Sequence, residues 1–329
     1  MNTLKSMAYL LNLVFEKGAS DLHLISGSPP VLRIRGELVK INDEKLDQNQ
    51  CEELIFSLLT EQQKQEFAKE KELDFSFGVK DLGRIRMNVG MQRSSVCAAL
   101  RAIPNRILTF EQLGLPKVIY KIVKMKSGLV LITGPTGCGK STTLASIVNY
   151  LNETRQAHII TVEDPIEYVH EHKKCIVRQR ELGQDTHSFA NALKYAMRQD
   201  PDILMIGEMR DRETVQAALT FGQTGHLVLA TLHTPDATQT VNRIIDIFPA
   251  GQRDQVGSLL SMSLQAVFCQ QLIRRKDSDE LKLAVEIMLA TSGIRNMIRE
   301  GKIEQIYSAI KTGGQYGMQT MEDALMSAE

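Results

Sequence analysis

The sequence predicts an α/β protein in which a phosphate-binding core follows a smaller α+β domain. Three observations carry this. A glycine-rich loop, Gly134-Pro135-Thr136-Gly137-Cys138-Gly139-Lys140-Ser141, stands between the apolar run 129–132 and a helix-like segment from Thr142. Strand-like runs at 129–133, 158–163, 202–207 and 227–232 alternate with helix-like runs near 141–151, 188–197, 211–222 and 237–246, the rhythm of a parallel sheet with crossover helices. The first hundred residues mix helices with strands that pair as hairpins, the rhythm of an α+β domain.

Composition bounds what such a chain does. At 329 residues, 43% hydrophobic and 24% charged, it is long enough for two domains with buried cores. Its 39 basic and 39 acidic residues cancel, so nothing indicates a general attraction to nucleic acid or to an anionic membrane, and no nucleic-acid partner is expected. The apolar run at 9–11 is too brief for a signal peptide and no later run approaches ~18 apolar residues, so a cytoplasmic protein is expected. Five cysteines, at 51, 97, 138, 175 and 269, form no C-x-x-C pair. That argues for reduced thiols rather than a disulfide framework or a structural zinc.

In the first domain, residues 4–16 carry a helical stripe of Leu4, Met7, Ala8, Leu11 and Phe15 that stops at Gly18. Strands are expected at 20–25 and 31–41, and helices at 47–59 and 61–70 with Thr60 as N-cap. A hairpin of 82–91 and 94–103 follows, with Ile85, Met87 and Val89 on one face and Arg84, Arg86 and Asn88 on the other. The domain is expected over 1–103. Residues 104–116 have weak periodicity, two prolines and a glycine, so the linker is placed there and the second domain over 117–329. Its later segments, 252–268, 281–290, 291–300 and 303–311, read as helix, strand, helix, helix.

The loop has the pattern G-x-x-x-x-G-K-[ST], and each residue type has a reason. Glycines let backbone N–H groups wrap phosphates, Lys140 reaches the β- and γ-phosphates, and the Ser141 hydroxyl suits Mg²⁺. Gly134 to Thr142 is therefore the candidate site for ATP. Ligands of open α/β sheets sit beyond the carboxyl ends of the strands. The other expected strands end at Glu163, at Glu208 and near His233. Mg²⁺ needs oxygen ligands and hydrolysis needs a group to orient or deprotonate water. Glu208 suits the metal and Glu163 the water, and the two roles can be exchanged. His233 can sense or polarise the terminal phosphate. His226 stands at the other end of the same strand, about 20 Å away at ~3.3 Å per residue, where a structural role is as good a reading. An arginine from a neighbour commonly completes such sites, and Arg84, Arg86 and Arg101, with Arg93 and Arg106 nearby, are candidates; a solvated, paired face is the alternative for any one of them.

These residues resemble a family, the hexameric secretion and pilus motor ATPases, and within it the type IV pilus retraction ATPases. Residues 19–23 (ASDLH) are similar to its N-terminal signature and 134–142 to its Walker A loop. Residues 161–167 (TVEDPIE) are similar to its aspartate box, 200–211 (DPDILMIGEMRD) to its Walker B segment and 224–234 (TGHLVLATLHT) to its histidine box. The resemblance implies a RecA-like ATPase core with a PAS-like N-terminal domain. It implies Lys140 and Ser141 on phosphates and Mg²⁺, Glu163 and Glu208 as the acidic pair, and His226 and His233 as the histidine box. It also implies a homohexamer whose N-terminal domain supplies arginines in trans, working on an inner-membrane pilus platform protein. Assembly and type II secretion relatives carry paired C-x-x-C motifs that this chain lacks. Residues 293–300 (GIRNMIRE) resemble the A-I-R-N-L-I-R-E motif of retraction motors. Retraction is thus the expected output, with assembly or secretion, or more remotely DNA translocation, as alternatives.

Overall fold

A computed structural model describes residues 6–80, 82–104, 106–274 and 281–327. The chain divides into two units, Met1–Arg106 and Ile107–Glu329.

The first unit runs α1 (Met7–Glu16), β1 (Asp21–Leu24), β2 (Val31–Ile34), β3 (Glu37–Lys40), α2 (Gln48–Phe56), α3 (Glu61–Glu70), β4 (Leu73–Val79), β5 (Gly83–Gln92) and β6 (Ser95–Pro104). Its strands form one sheet in the order β3-β2-β1-β6-β5-β4. α3 starts where the sequence predicts: the Thr60 hydroxyl accepts from the Gln63 N–H while the Gln63 side chain accepts from the Thr60 N–H, a reciprocal capping box. Ile85, Met87 and Val89 are fully buried, and Arg86 and Asn88 lie on the opposite, exposed face. Three expectations change. α1 buries Met7, Leu10, Leu11 and Val14, so its inward stripe is rotated from the expected one; Ala8 is exposed and Leu4 lies outside the described residues. The stretch 31–41 is a hairpin rather than one strand, because Arg35 and Gly36 both take positive φ (51° and 88°) and reverse the chain. β4 was not foreseen, although Leu73, Phe75 and Phe77 alternate with polar or small residues.

The second unit runs α4 (Ile119–Ile122), β7 (Gly128–Thr133), α5 (Lys140–Thr154), β8 (His158–Glu163), β9 (Ile176–Glu181), α6 (Phe189–Ala196), β10 (Ile203–Ile206), α7 (Arg212–Gln223), β11 (Leu227–Leu232), α8 (Ala237–Asp246), α9 (Arg253–Ser263), β12 (Leu264–Arg274), β13 (Leu281–Leu289), α10 (Ser292–Arg299), α11 (Ile306–Thr312) and α12 (Met321–Met326). Seven strands form a sheet in the order β13-β12-β7-β11-β10-β8-β9, parallel throughout except for β12 with β13. Alternate residues of the central strands enter two cores. Leu131, Val162, Leu204 and Val228 face Leu193, Leu219 and Leu260 of the helices on one side. Val130, Ile159, Met205 and Leu229 face Ile122, Ile147 and Leu151 on the other. Burial on both faces explains why these strands read as continuous apolar runs. Among the described residues, no helix is long and apolar enough to cross a membrane.

Here too the structure revises expectations. Residues 107–116 do not form a linker: Phe110 and Leu115 are buried in the core beside α4, anchoring this segment to the second unit. The helix expected over 252–268 stops at Ser263, and β12 begins at once; a short apolar run has the same composition whether it fills a helix face or a buried strand. The edge strand β9 was missed because four of its six residues are polar.

The 293–300 motif forms α10, whose Ile294 and Ile298 are buried. Arg295 turns back onto the preceding elements: Nη1 donates to the carbonyls of Ser261 (2.6 Å) and Met262 (3.0 Å), and Nη2 to Gln265 Oε1 (2.9 Å). One planar guanidinium thus satisfies the carboxyl end of α9. Arg295→Ala should lower the thermal midpoint by about 4–8 °C, from a loss of ~2 kcal/mol. Arg295→Lys should recover only part, because an ammonium lacks the planar fork. An unchanged melting curve for Arg295→Ala would show that these bonds carry no net stability.

Candidate active site

The parallel register lines up four strand ends. In spatial order, β7 ends at the glycine-rich loop, β11 leads to His233, β10 to Glu208, and β8 ends at Glu163. Thr133 pairs with Leu232, and Ile206 pairs with both Ala230 and Val162, so the four ends are level. Gly207 permits a close approach between two of them: its N–H donates to the Val162 carbonyl at 2.8 Å, and a Cβ there would lie 3.3 Å from Glu163 Cα.

The loop bends at Gly134, Gly137 and Gly139, whose φ values of 136°, 80° and 90° are those glycine takes readily. At Gly134 a Cβ would also stand 2.3 Å from the Gln270 carbonyl. Lys140 is the first residue of α5, and the N-cap Gly139 offers no side chain to the helix's free N–H groups, leaving an electropositive end suited to an anion. Behind the loop, Gln270 of β12 donates to Thr143 Oγ1 at 2.7 Å and braces α5. Cys138 is buried with its sulfur against Gly134, and burial raises its thiol pKa. Its thiol is therefore already shielded without nucleotide.

The Lys140 ammonium has three donors and three acceptors: the carbonyls of Gly134 (2.8 Å) and Pro135 (3.0 Å), and His233 Nδ1 (3.3 Å). Because an ammonium has no lone pair, Nδ1 is the acceptor and His233 Nε2 carries the proton, which points to Glu208 Oε2 at 3.3 Å. His233 thus bridges the lysine and the acid. Arg210 Nη2 donates to the same oxygen at 2.8 Å. Burial pushes the Glu208 carboxyl up, but Arg210 and His233 together outweigh it and hold it below its ordinary range. Burial also lowers Lys140, against the opposing pull of nearby acids. The donor set fits a nucleotide triphosphate with a divalent cation. A buried ammonium, helix-terminal N–H groups and the Ser141 and Thr142 hydroxyls suit phosphate, and an ionised Glu208 with Ser141 suits the cation.

Glu163 has the opposite character. It is buried, and desolvation raises its pKa to about 7 although Thr161, Gln179 and the Glu167 N–H oppose the shift. Thr161 Oγ1 donates to Oε1 at 2.6 Å and Gln179 Nε2 at 3.1 Å. The segment after it, which begins with a cis Asp164-Pro165 peptide, is strapped to α5. Tyr168 meets Thr142 across 3.1 Å between hydroxyls, and Asn152 holds the backbone of Glu171, Lys173 and Cys175.

Other expected site residues lie elsewhere in the chain. His226 sits at the amino end of β11, its ring edge-on to Phe221 (5.1 Å between centroids), with Nδ1 near Thr224 Oγ1 and the Phe221 carbonyl. This chain does not bring it to the loop. Arg84, Arg86 and Arg101 share one sheet face in the first unit: Arg84 donates to Ser76, Arg101 holds Asp21 at 2.9 Å, and Arg86 is exposed beside Arg101. Arg210, Gln179, Tyr168 and Gln270 were not singled out from sequence. Arg210 was legible, being two residues beyond Glu208; the others depend on strand neighbours far apart in the chain.

With this geometry in hand, comparison with known proteins is specific. The family model for type II/IV secretion system proteins matches residues 5–313. The type IV pilus retractation ATPase PilT of Pseudomonas aeruginosa is 48% identical over 316 residues, covering 96% of this chain and 92% of that protein. A twitching motility protein of Neisseria gonorrhoeae is 46% identical over 298 residues, covering 91% and 80%. The solved structure of the pilus retraction motor PilT with bound ADP superposes with a TM-score of 0.92 at 46% identity, over 98% of this chain and 92% of that one. A phosphate loop in register with two acids and a histidine, together with a match along nearly the whole chain, places this protein in the type II/IV secretion system protein family.

Proposed function

We propose that this chain is the ATP-hydrolysing subunit of a motor that retracts type IV pilus fibres. The observation that carries the reading is the level row of strand ends: phosphate loop, His233, Glu208 and Glu163. The names of its near-full-length relatives support the output, and the ADP held by the solved relative supports the nucleotide. Lys140 and the helix-terminal N–H groups bind the phosphates. Ser141 and Glu208 hold Mg²⁺, which neutralises phosphate charge when bound. Glu163 orients the attacking water and takes its proton, for which a carboxyl titrating near neutrality is suited. His233, hydrogen-bonded to both Lys140 and Glu208, senses the terminal phosphate. The working assembly is a homohexamer, completed by arginines of a neighbouring copy drawn from Arg84, Arg86 and Arg101, and acting in the cytoplasm on a pilus platform protein of the inner membrane.

Glu163→Gln and Glu208→Gln should each retain ATP binding while turnover falls ~10²–10⁴-fold. Near-normal turnover in either variant would remove that acid from the mechanism. The environment of Glu163 adds a pH dependence. Because its folded pKa is raised from 4.5 to about 7, the fold favours the protonated acid, and the ionised form costs stability as pH rises through 7. Glu163→Gln should therefore raise thermal stability at pH 8, by up to ~3 kcal/mol, and leave it nearly unchanged below pH 4.5. Turnover of the native enzyme should fall as pH drops through about 7. A stability gain independent of pH would show that burial is not the cause. Deleting the gene should leave abundant surface pili without twitching; loss of pili would assign the motor to assembly instead.

A further inference from the structure

Gln179 lies on β9, the edge strand beside β8, with Thr161 as its register partner. In parallel pairing, partners point to the same face, and Glu163, two residues beyond Thr161, shares it. Every polar group of the Gln179 amide is committed. Nε2 donates to Glu163 Oε1 (3.1 Å) and to the Tyr168 carbonyl (2.8 Å), and Oε1 accepts from the His170 N–H (2.7 Å). A flipped amide would set its oxygen against a carboxylate and a carbonyl, and its NH₂ against an N–H, so the network permits one orientation. Thr161 donates to the same carboxylate oxygen. One amide therefore joins the acid to the segment that meets the phosphate-loop helix through Tyr168 and Thr142.

We propose that Gln179 is a positioning residue for hydrolysis: its amide, with the Thr161 hydroxyl, fixes the Glu163 carboxylate and ties that orientation to the 166–170 segment seated on the phosphate-loop helix. This rests on the reading of Glu163 as the group that activates water. A donor to the carboxylate stabilises its ionised form, so Gln179 and Thr161 also keep Glu163 usable at neutral pH in a site that burial makes hostile to charge. The charged group that acts on it is Glu167, which opposes ionisation. Asp164 follows it in the chain, Glu181 is its register partner on β9, and Glu208 follows the neighbouring strand β10. The cations Arg210 and Lys140 act on Asp164, Glu167 and Glu208 rather than on Glu163. Glu181 is engaged by the Ile166 N–H and Gln184, which leaves the two donors to Oε1 as the side-chain groups favouring the ion.

The test is steady-state ATPase activity of the full-length protein from pH 5.5 to 9. Gln179→Leu should lower kcat ~10-fold at pH 7.5, leave KM for ATP within ~3-fold, and move the acid limb of the kcat profile up by about one pH unit, the equivalent of one lost hydrogen bond. Thr161→Val should shift the limb in the same direction, and Thr161→Ser should restore it. If Gln179→Leu does not fold, the two Thr161 variants read the same shift. Glu163→Gln separates the two claims. Should that variant keep its turnover, the role of Glu163 itself falls. If it is inactive while Gln179→Leu and Thr161→Val keep the native limb, or lose activity without moving it, the positioning inference is overturned.

Discussion

The site depends on a constraint in the sheet rather than in the loop. All six residues of β7 are buried, as are all six of β11 and all four of β10. A strand buried on both faces cannot slip by one residue without moving each side chain into the opposite core. The register that levels Thr133 with Leu232 and Ile206 with Val162 is therefore held by hydrophobic burial of the whole unit. The polar groups at the carboxyl ends inherit that precision. They come from points spread along the chain from Gly134 to His233, and apolar neighbours bring them together.

On this scaffold the electrostatics are shared through one imidazole. Lys140 and Glu208 do not meet directly among the described contacts; His233 stands between them as acceptor to one and donor to the other. An anion competing for the ammonium would free Nδ1, and the hydrogen bond to Glu208 would then be renegotiated. The state of Lys140 is thus linked through His233 to Glu208 and, through its second partner Arg210, to the segment before α7. Local rearrangement has a route away from the loop without any long-range wire.

What could be read in the sequence follows from how local each signal is. The phosphate loop, its flanking strand and helix, the Thr60 cap and the outward arginines of β5 all rest on residues within a few positions of one another. The acids and His233 were legible because strand ends are predictable once strands are. β12 was hidden because its composition fits a helix equally well, and β9 because an edge strand needs little apolar character. The inward face of α1 was misjudged because Ala8 and Phe15 are apolar, yet Ala8 is exposed and Phe15 only half-buried. Gln179 was out of reach for a different reason: its role exists only once β9 is paired with β8.

The two acids are told apart by what surrounds them, which spacing alone could not do. Glu208 keeps a guanidinium and an imidazole N–H on one oxygen and is held ionised. Glu163 is buried, has only neutral donors, and sits near the point where it can give up or take a proton close to neutral pH. A permanently charged carboxylate suits a cation, since it neither loses affinity with modest acidification nor competes for protons. A carboxylate whose charge is poised suits proton transfer. Exchanging the roles would place the ion-binding acid where burial opposes charge, and the proton acceptor where two donors suppress its basicity. Under the proposed hydrolysis, the assignment of Glu208 to the metal and Glu163 to water is the one in which each environment favours the state its task requires.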